Sequence, residues 1–328
     1  GNSMQIISGY SPAMSLHDGS PLLVLCVVVT ALATVAWAAW GEYPDRRARM
    51  IAVLVVALVT FAFYKQAVVR MDRSHLAIFF AVAAVLWISV PVKRSLNVFS
   101  LGGLAGLAAI SIYALGVTPS PGLNPIENVK GLITNSPTPL TVDRQRNQIE
   151  SSRLLLRYSY GLPEQMRDSI GKDPVSVEPW EVAAAWAFDF DWAPAPVFQN
   201  YSAYTPRLDR LNSEAISSAD GPRWILRHVG EDPFRPGAGI DDRFLAWDPP
   251  SQAVATLCHF SPDSQSPRWQ LLLRVPERCG PMVPEGGIDT AFGEPVKVPV
   301  PGPDEVVLVK ISAPAPGPLA RLKSLLFR

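Results

Sequence analysis

The sequence predicts a membrane protein in which four transmembrane helices are followed by a small extracytoplasmic α/β or α+β domain. Two observations lead to this prediction. Residues 1–116 contain only eight Lys+Arg and four Asp+Glu, and most of the remainder is apolar. Residues 117–328 contain the other charged residues and 28 of the 32 prolines. An apolar module followed by a polar, loop-rich module is expected when one part of a chain lies in lipid and the other in water.

Four apolar runs define the membrane module, at residues 21–40, 50–69, 75–90 and 98–115. A helix needs about 17 to 25 residues to cross a bilayer core. The first and fourth runs are long enough. The second reaches this length by extending from residue 64 through Lys65, whose amine can reach the interface, to residue 69, and the third needs its flanking residues. The alternative is a set of soluble core helices, but four runs with almost no internal charge favour membrane spans.

The basic residues of two connectors orient these spans. They are Arg46, Arg47 and Arg49 in the first connector, and Lys93 and Arg94 in the third. Because Lys and Arg prefer the cytoplasmic side, both connectors are predicted to lie inside. The N-terminal segment 1–20, the connector 65–74 and everything after residue 116 then lie outside.

The polar module divides into three parts. Residues 117–141 are rich in Pro, Gly and Asn and are predicted to be a linker, residues 142–316 form the outer domain, and residues 317–328 form an amphipathic tail. Helical patterns cover 143–160, 164–170 and 179–188. Short strands are predicted at 175–177, 196–199, 224–229, 253–260, 269–275 and 306–311.

Two cysteines flank a predicted hairpin in the outer domain. Cys258 lies in the strand 253–260, and Cys279 follows the strand 269–275. A disulfide between them suits an oxidising compartment outside the cytoplasm, and two free buried thiols are the alternative.

The outer connector "YKQAVVRMDRSH" contradicts the charge rule that orients its neighbours. It places Lys65, Arg70 and Arg73 on the side where basic residues are disfavoured. If the helix continues through this connector, Arg70 and Arg73 share a face. A functional role is one explanation for these charges, and contact with lipid headgroups is the other.

The residue types of this connector suit chemistry on a phosphate. Asp72 can orient His75 by accepting a hydrogen bond from its ring, and a histidine can then act as a general base. Guanidinium groups bind phosphate oxygens in bidentate fashion. In the alternative interpretation, Asp72 simply pairs with one of the arginines.

A second candidate site lies in an aromatic segment of the outer domain. Trp180, Trp192, Gln199, Tyr201 and Tyr204 fall within 25 residues. Aromatic faces stack on sugars and amides bond their hydroxyls, so these side chains are candidates for glycan binding. The alternative is that the rings form the core of a small domain.

Several common classes of site are missing from the sequence. It contains no Walker loop, dinucleotide fingerprint, zinc-type Cys/His spacing or nucleophile elbow. Neither a cofactor nor a metal site is therefore predicted. The zero net charge and the lack of basic stripes argue against nucleic acid.

Three stretches carry a resemblance: "FYKQAVVRMDRSHLAIFF", "SGYSPAMS" and "VFQNYSAYTPRLDRLN". They resemble a group of uncharacterised bacterial polytopic membrane proteins with a Val-Arg-x-Asp-x-x-His outer loop. That group is distantly similar in layout to membrane glycosyltransferases and O-antigen ligases. The resemblance covers most of the chain, and it implies a bacterial cytoplasmic membrane, a periplasmic or extracellular C-terminal domain and further spans upstream. The first outer segment lacks the acidic pair of many metal-dependent members, which puts metal dependence in doubt.

The resulting hypothesis is cell-envelope glycan assembly, by transfer or polymerisation of sugar from a polyprenyl-linked donor. His75 and Asp72 are the catalytic candidates, and Arg70, Arg73 and Lys65 are the phosphate-binding ones. The expected partners are the lipid bilayer, a polyprenyl-linked sugar or other glycan, and further membrane spans or subunits. The alternative is a non-enzymatic membrane subunit whose outer domain binds a glycan or an envelope protein.

Overall fold

The computed structural model describes residues 2–14, 20–92, 98–116, 130–131, 133–134, 141–230, 249–291, 293–314, 317–319, 321 and 326. Five helices form the first part of the chain: α1 (Asn2–Met14), α2 (Pro21–Trp40), α3 (Arg46–Val69), α4 (Arg73–Ser89) and α5 (Val98–Gly116). The connector 93–97, most of the predicted linker 117–141 and most of the tail 317–328 lie outside the described residues.

Polar residues fix where the long helices begin. The Ser20 hydroxyl accepts hydrogen bonds from the first turn of α2, and Pro21 occupies the first helical position, where no N–H is needed. Asp45 caps α3 by accepting a hydrogen bond of 2.7 Å from the N–H of Ala48. The apolar sequences of α2 and α3 contain almost no residue that would end a helix. Each helix therefore continues to the next connector.

Helices α2 to α5 pack into a bundle whose surface is apolar. At one end, Leu23, Tyr64, Leu76 and Phe79 are buried in a shared cluster with Ala114. Large apolar side chains on the outside remain exposed, among them Leu25, Leu32, Leu54, Leu58, Phe61, Val85, Ile88 and Ile112. An apolar surface of this extent suits lipid better than water.

Within the described residues, two of the four predicted spans are long and apolar enough to cross a membrane. Helices α2 and α3, with 20 and 24 residues, are long and apolar enough, and only 28% of each apolar window is buried. Helix α4 has 17 residues, or about 26 Å, and falls short of a bilayer core of about 30 Å. The two long helices favour association with a membrane, and the prediction of four spans is supported only in part.

The domain predicted at residues 142–316, called the outer domain after its predicted location, contains a four-stranded mixed sheet between helices. Its elements are α6 (Val142–Tyr160), α7 (Glu164–Ile170), β1 (Val175–Glu178), α8 (Ala183–Phe188), α9 (Pro206–Ser217), β2 (Trp224–His228), α10 (Pro250–His259), β3 (Phe260–Gln265) and β4 (Trp269–Arg274). The strand order is β1-β2-β4-β3, with β1 parallel to β2 and the other neighbours antiparallel. One face of the sheet packs on α6, α7 and α8, and the other packs on α9 and α10.

Three predicted strands are confirmed and three are wrong. Strands β1, β2 and β4 match the predictions at 175–177, 224–229 and 269–275. Residues 253–259 belong instead to α10, which begins at Pro250, and the predicted turn after them forms β3. Residues 196–199 form bends, and residues 306–311 are mostly exposed and form no strand within the described part of the chain. The third predicted helix, 179–188, begins only at Ala183.

A buried polar network joins the sheet to α9 and α10. Glu178 accepts hydrogen bonds from Arg227 (3.0 Å) and from the amide of Gln252 (2.6 Å). The Gln252 side chain accepts in turn from Asn212, which also bonds both backbone groups of Val197. Buried polar groups fix geometry when every member is paired. The network thereby fixes Val197, the start of the segment 197–204, against α9.

Cys258 and Cys279 form a disulfide in the structure. It ties the end of α10 to the chain that leaves β4, where Arg278 also donates hydrogen bonds to the carbonyls of Leu257 and Phe260. The third cysteine, Cys26, is free and partly buried in α2.

Removing this disulfide should lower the stability of the outer domain. The bond closes a loop with a sequence separation of 21, and loop closure of that size stabilises by about 3 kcal/mol. We expect the double variant Cys258→Ser/Cys279→Ser to unfold at a clearly lower denaturant concentration, followed by tryptophan fluorescence. Cys26→Ser is the control and should leave the midpoint unchanged. Equal midpoints for both variants would contradict a stabilising role.

Candidate functional site

The outer connector breaks the helix instead of continuing it. Helix α3 ends at Val69, Arg70 is extended with φ −127°, and α4 starts at Arg73. Asp72 causes the new start, because its carboxylate accepts a hydrogen bond of 3.1 Å from the N–H of His75. The helix does not continue through the connector, so the condition under which Arg70 and Arg73 would share a helical face is not met.

The same break brings Asp72 and His75 together. The Nδ1 atom of His75 lies 2.8 Å from both carboxylate oxygens of Asp72. Because a carboxylate can only accept, Nδ1 carries the hydrogen and Nε2 keeps its lone pair in the neutral ring. Asp72 thus caps a helix and orients an imidazole at once, and the ring geometry is the one predicted from the sequence.

The surroundings of Asp72 keep it ionised. Burial raises the pKa of Asp72. Three other effects lower it by more: the hydrogen bonds from the ring and backbone of His75, the charge of that ring and the hydrogen bond from Arg70. The pKa of Asp72 therefore lies below its ordinary value. A carboxyl group whose pKa is lowered by folding stabilises the folded protein at pH values above its ordinary pKa of about 3.9. This stabilisation is lost only as the pH falls through the lowered pKa. The carboxylate is therefore available to orient His75 at any physiological pH.

Arg70 completes this cluster. Its Nε lies 3.4 Å from Asp72 Oδ2, and its side chain is only 15% exposed. A weak, long contact of this kind positions the guanidinium beside the Asp72–His75 pair.

Arg70 and His75 open into a cleft of about 370 Å³ between the helical bundle and the outer domain. Three parts of the chain line it: α1 with Ile6, Tyr10 and Met14, the connector with Arg70 and His75, and the outer domain with Gln199, Tyr201, Ser202 and Tyr204. The cleft therefore combines the predicted connector site with part of the predicted glycan site. A second cleft of about 360 Å³, between α6 and Trp186, contains none of the predicted site residues.

Helix α1 forms one wall of the cleft and docks against the outer domain. The Thr205 hydroxyl donates a hydrogen bond of 3.1 Å to Gln5. The rings of Tyr10 and Tyr204 meet edge to face at 6.3 Å, and Ile6 packs against the outer-domain cluster that contains Ala203. The wall formed by α1 is thus held by polar and apolar contacts together.

The remaining predicted residues lie outside the lining of the cleft. Lys65 is in the last turns of α3 and Arg73 is in the first turn of α4. Trp180 lies behind the cleft, with its ring edge-on to Tyr201 at 6.3 Å. Trp192 contacts Phe198 instead, and its side chain is partly exposed on the outer domain.

Sequence reasoning missed the contribution of α1. Ile6, Tyr10 and Met14 recur every four residues, which is a helical spacing, but none of the three was predicted to be a site residue. The signal available was the resemblance of "SGYSPAMS", which contains Tyr10 and Met14.

Comparison of the chain with protein families, curated proteins and solved structures finds no significant match. The function must therefore be argued from the geometry of the cleft and from the residues that line it.

Enlarging Gly9 should separate α1 from the outer domain. A Cβ at this position would overlap the Cβ of Tyr204, which cannot rotate away. Overpacking of this kind costs about 1–3 kcal/mol. We expect Gly9→Ala to raise hydrogen exchange of residues 2–14 roughly tenfold. Gly102→Ala in α5, where nothing lies within 4 Å, is the control. Unchanged exchange in Gly9→Ala would contradict the docking of α1.

Proposed function

We propose that the cleft transfers sugar from a polyprenyl-linked donor in the assembly of a cell-envelope glycan. In this proposal α2 to α5 all cross a bacterial cytoplasmic membrane, and the cleft lies at its outer face. The observation that carries the proposal is that the Asp72–His75 pair opens, together with Arg70, into a cleft that also contains tyrosines and an amide.

The chemistry follows from the orientation of His75. Its Nε2 accepts the proton of an acceptor hydroxyl, whose oxygen then attacks the anomeric carbon of the donor sugar. The bond from that carbon to the phosphate oxygen breaks, and its electron pair leaves with the polyprenyl diphosphate. Arg70 stabilises the charge on this leaving group, while Asp72 stabilises the imidazolium that forms.

The outer wall suits a carbohydrate acceptor. Tyr201 and Tyr204 offer aromatic faces and hydroxyls, and Gln199 offers an amide that can both donate and accept. A sugar held by these groups would present a hydroxyl within a cleft that also contains His75.

Two observations support the membrane placement. The bundle has an exposed apolar surface, and the disulfide of the outer domain suits an oxidising compartment on the far side of the membrane. The short helix α4 would span with the help of Val90 and Val92, which follow its last turn.

The resemblance supports the same proposal. Each of the three stretches that carry it contributes a lining residue to the cleft: "SGYSPAMS" contributes Tyr10, "FYKQAVVRMDRSHLAIFF" contributes His75, and "VFQNYSAYTPRLDRLN" contributes Tyr201. These stretches are far apart in the sequence but line the same cleft. A common site would explain why all three resemble the same group of proteins.

The second candidate is a membrane subunit that binds a glycan or an envelope protein without catalysis. The observation in its favour is the partly exposed pair of Trp192 and Phe198, which meet edge to face at 5.9 Å on the outer domain, outside the cleft. An exposed aromatic pair can bind a sugar with no catalytic group beside it.

A transfer assay with purified protein separates the two candidates. The protein is reconstituted in phospholipid vesicles with a polyprenyl-diphosphate-linked oligosaccharide, and the release of polyprenyl diphosphate is measured by mass spectrometry. The proposal predicts release together with an elongated glycan. Binding of the oligosaccharide without any release would favour the non-enzymatic subunit.

A further inference from the structure

The second cleft of the outer domain, which we call the α6 cleft, has an uncharged lining. Its volume is about 360 Å³, and its lining consists of two amides, an aliphatic side chain, a hydroxyl and an indole, from Gln145, Gln148, Ile149, Ser152 and Trp186. The first four residues follow one another at helical spacing, so they share one face of α6. Among the described residues, this cleft has no lining residue in common with the cleft that contains His75.

Trp186 is the one exposed residue of α8. It is 43% exposed, whereas Ala184, Ala185 and Ala187 on the same helix are buried. The helix therefore buries its small residues and keeps its largest apolar side chain at the surface. A ligand that covers the indole would remove a large apolar area from water.

The packing of α6 on α8 does not depend on the exposed indole. Tyr160 and Ala187 are buried in one core cluster, and Leu156 packs against it. The Nε atom of Arg157 also donates a hydrogen bond to the carbonyl of Ala187. Within the described part of the chain, Trp186 lies outside this cluster. The exposed ring is thus additional to the contacts that hold the two helices together.

The ring of Trp186 is nevertheless held in place. The guanidinium carbon of Arg153 lies over it, 5.2 Å from the ring centroid. The same guanidinium lies 3.9 Å from the carboxylate of Asp189, which caps the end of α8. A ring that is fixed before the ligand arrives loses little conformational entropy on binding.

The lining of the α6 cleft suits a neutral sugar. A sugar ring has an apolar C–H face, which can stack on the indole of Trp186. Its hydroxyls need groups that both donate and accept hydrogen bonds, and the amide of Gln148 and the hydroxyl of Ser152 do both. The volume is at the lower end of the range of about 300–1,000 Å³ for ligand pockets, which suits a short segment of a glycan.

We infer that the α6 cleft binds a neutral oligosaccharide, with a sugar ring stacked on Trp186 and its hydroxyls bonded to Gln148 and Ser152. The inference goes beyond the proposed function, because it adds a glycan site that is separate from the transfer cleft and needs no transfer to operate. It also differs from the exposed pair of Trp192 and Phe198, neither of which lines the α6 cleft.

Isothermal titration of the full chain in phosphatidylcholine nanodiscs tests this inference. The probes are maltohexaose, cellohexaose and chitohexaose, three neutral oligosaccharides that differ in linkage and substitution. We expect at least one to bind, and we expect Trp186→Ala to weaken that binding at least tenfold. Trp186→Phe, which keeps a smaller aromatic face, should give an intermediate affinity. Gln148→Ala, a change at an exposed position, should weaken binding about threefold to tenfold.

The matched control is Tyr158→Ala. Tyr158 is an aromatic residue of α6 that is 87% exposed and does not line the cleft, so this variant should bind like the unchanged protein. The inference is overturned if none of the three probes binds, if Trp186→Ala binds as tightly as Tyr158→Ala, or if the loss is confined to Trp192→Ala. If binding depends on Trp186 but the protein releases no polyprenyl diphosphate, the inference stands and the proposed transfer fails. Release without binding that depends on Trp186 gives the opposite result.

Discussion

Replacing His75 with alanine is expected to abolish glycan transfer while expression and membrane insertion stay intact. The imidazole is the group in the cleft that is oriented to take a proton, because Asp72 holds Nδ1 at 2.8 Å. Loss of a positioned general base typically lowers a rate by about 10² to 10⁴. Release of polyprenyl diphosphate by reconstituted protein is the measurement.

The control for this variant is His259→Ala. His259 is in the last turn of α10 and does not line the cleft, so the variant should transfer glycan at the rate of the unchanged protein. Normal transfer by His75→Ala would remove His75 from the mechanism. A similar loss in both variants would indicate a general effect on folding.

Replacing Asp72 separates its two roles. Asparagine caps helices about as well as aspartate, so Asp72→Asn should keep the start of α4 and the stability of the bundle. It removes the carboxylate that fixes the tautomer of His75. In Ser-His-Asp enzymes the equivalent change lowers the rate by about 10⁴, and we expect a loss of at least 10² in transfer here.

Asp72→Ala is the companion variant, because it removes the cap as well. Loss of a capping side chain costs about 1 kcal/mol, so this variant should melt at a lower temperature than Asp72→Asn while showing a similar loss of transfer. If Asp72→Asn kept full transfer activity and Asp72→Ala were destabilised, Asp72 would act only as a helix cap and would have no role in orienting His75 for transfer.

Local patterns predicted the four helices of the bundle together with α6 and α7, but they missed α1, α9 and α10. The apolar runs identify α2 to α5 because Lys65 is the one Lys, Arg, Asp or Glu within them. Ser20 and Asp45 are capping residues visible in the sequence. The error at α10 has a local cause, since residues 253–260 are apolar enough for a strand, but Pro250 at the first helical position marks a helix start.

The candidate site was predictable only in pieces. Asp72 and His75 are three residues apart, and their contact follows from local geometry. The meeting of Tyr10, Arg70 and Tyr204 at one cleft depends on tertiary packing between segments far apart in sequence. No local pattern specifies that packing. The residues predicted to bind a glycan therefore lie in different places. Tyr204 lines the cleft, whereas Trp192 contacts Phe198 elsewhere on the outer domain.

Lipid mass spectrometry on the purified, unmodified protein tests the central claim most directly. If the cleft is built for a lipid-linked phosphate, polyprenyl phosphate or polyprenyl diphosphate should copurify with the protein, enriched over its share of the membrane lipids. Only bulk phospholipids, in the proportions of the surrounding membrane, would contradict the claim.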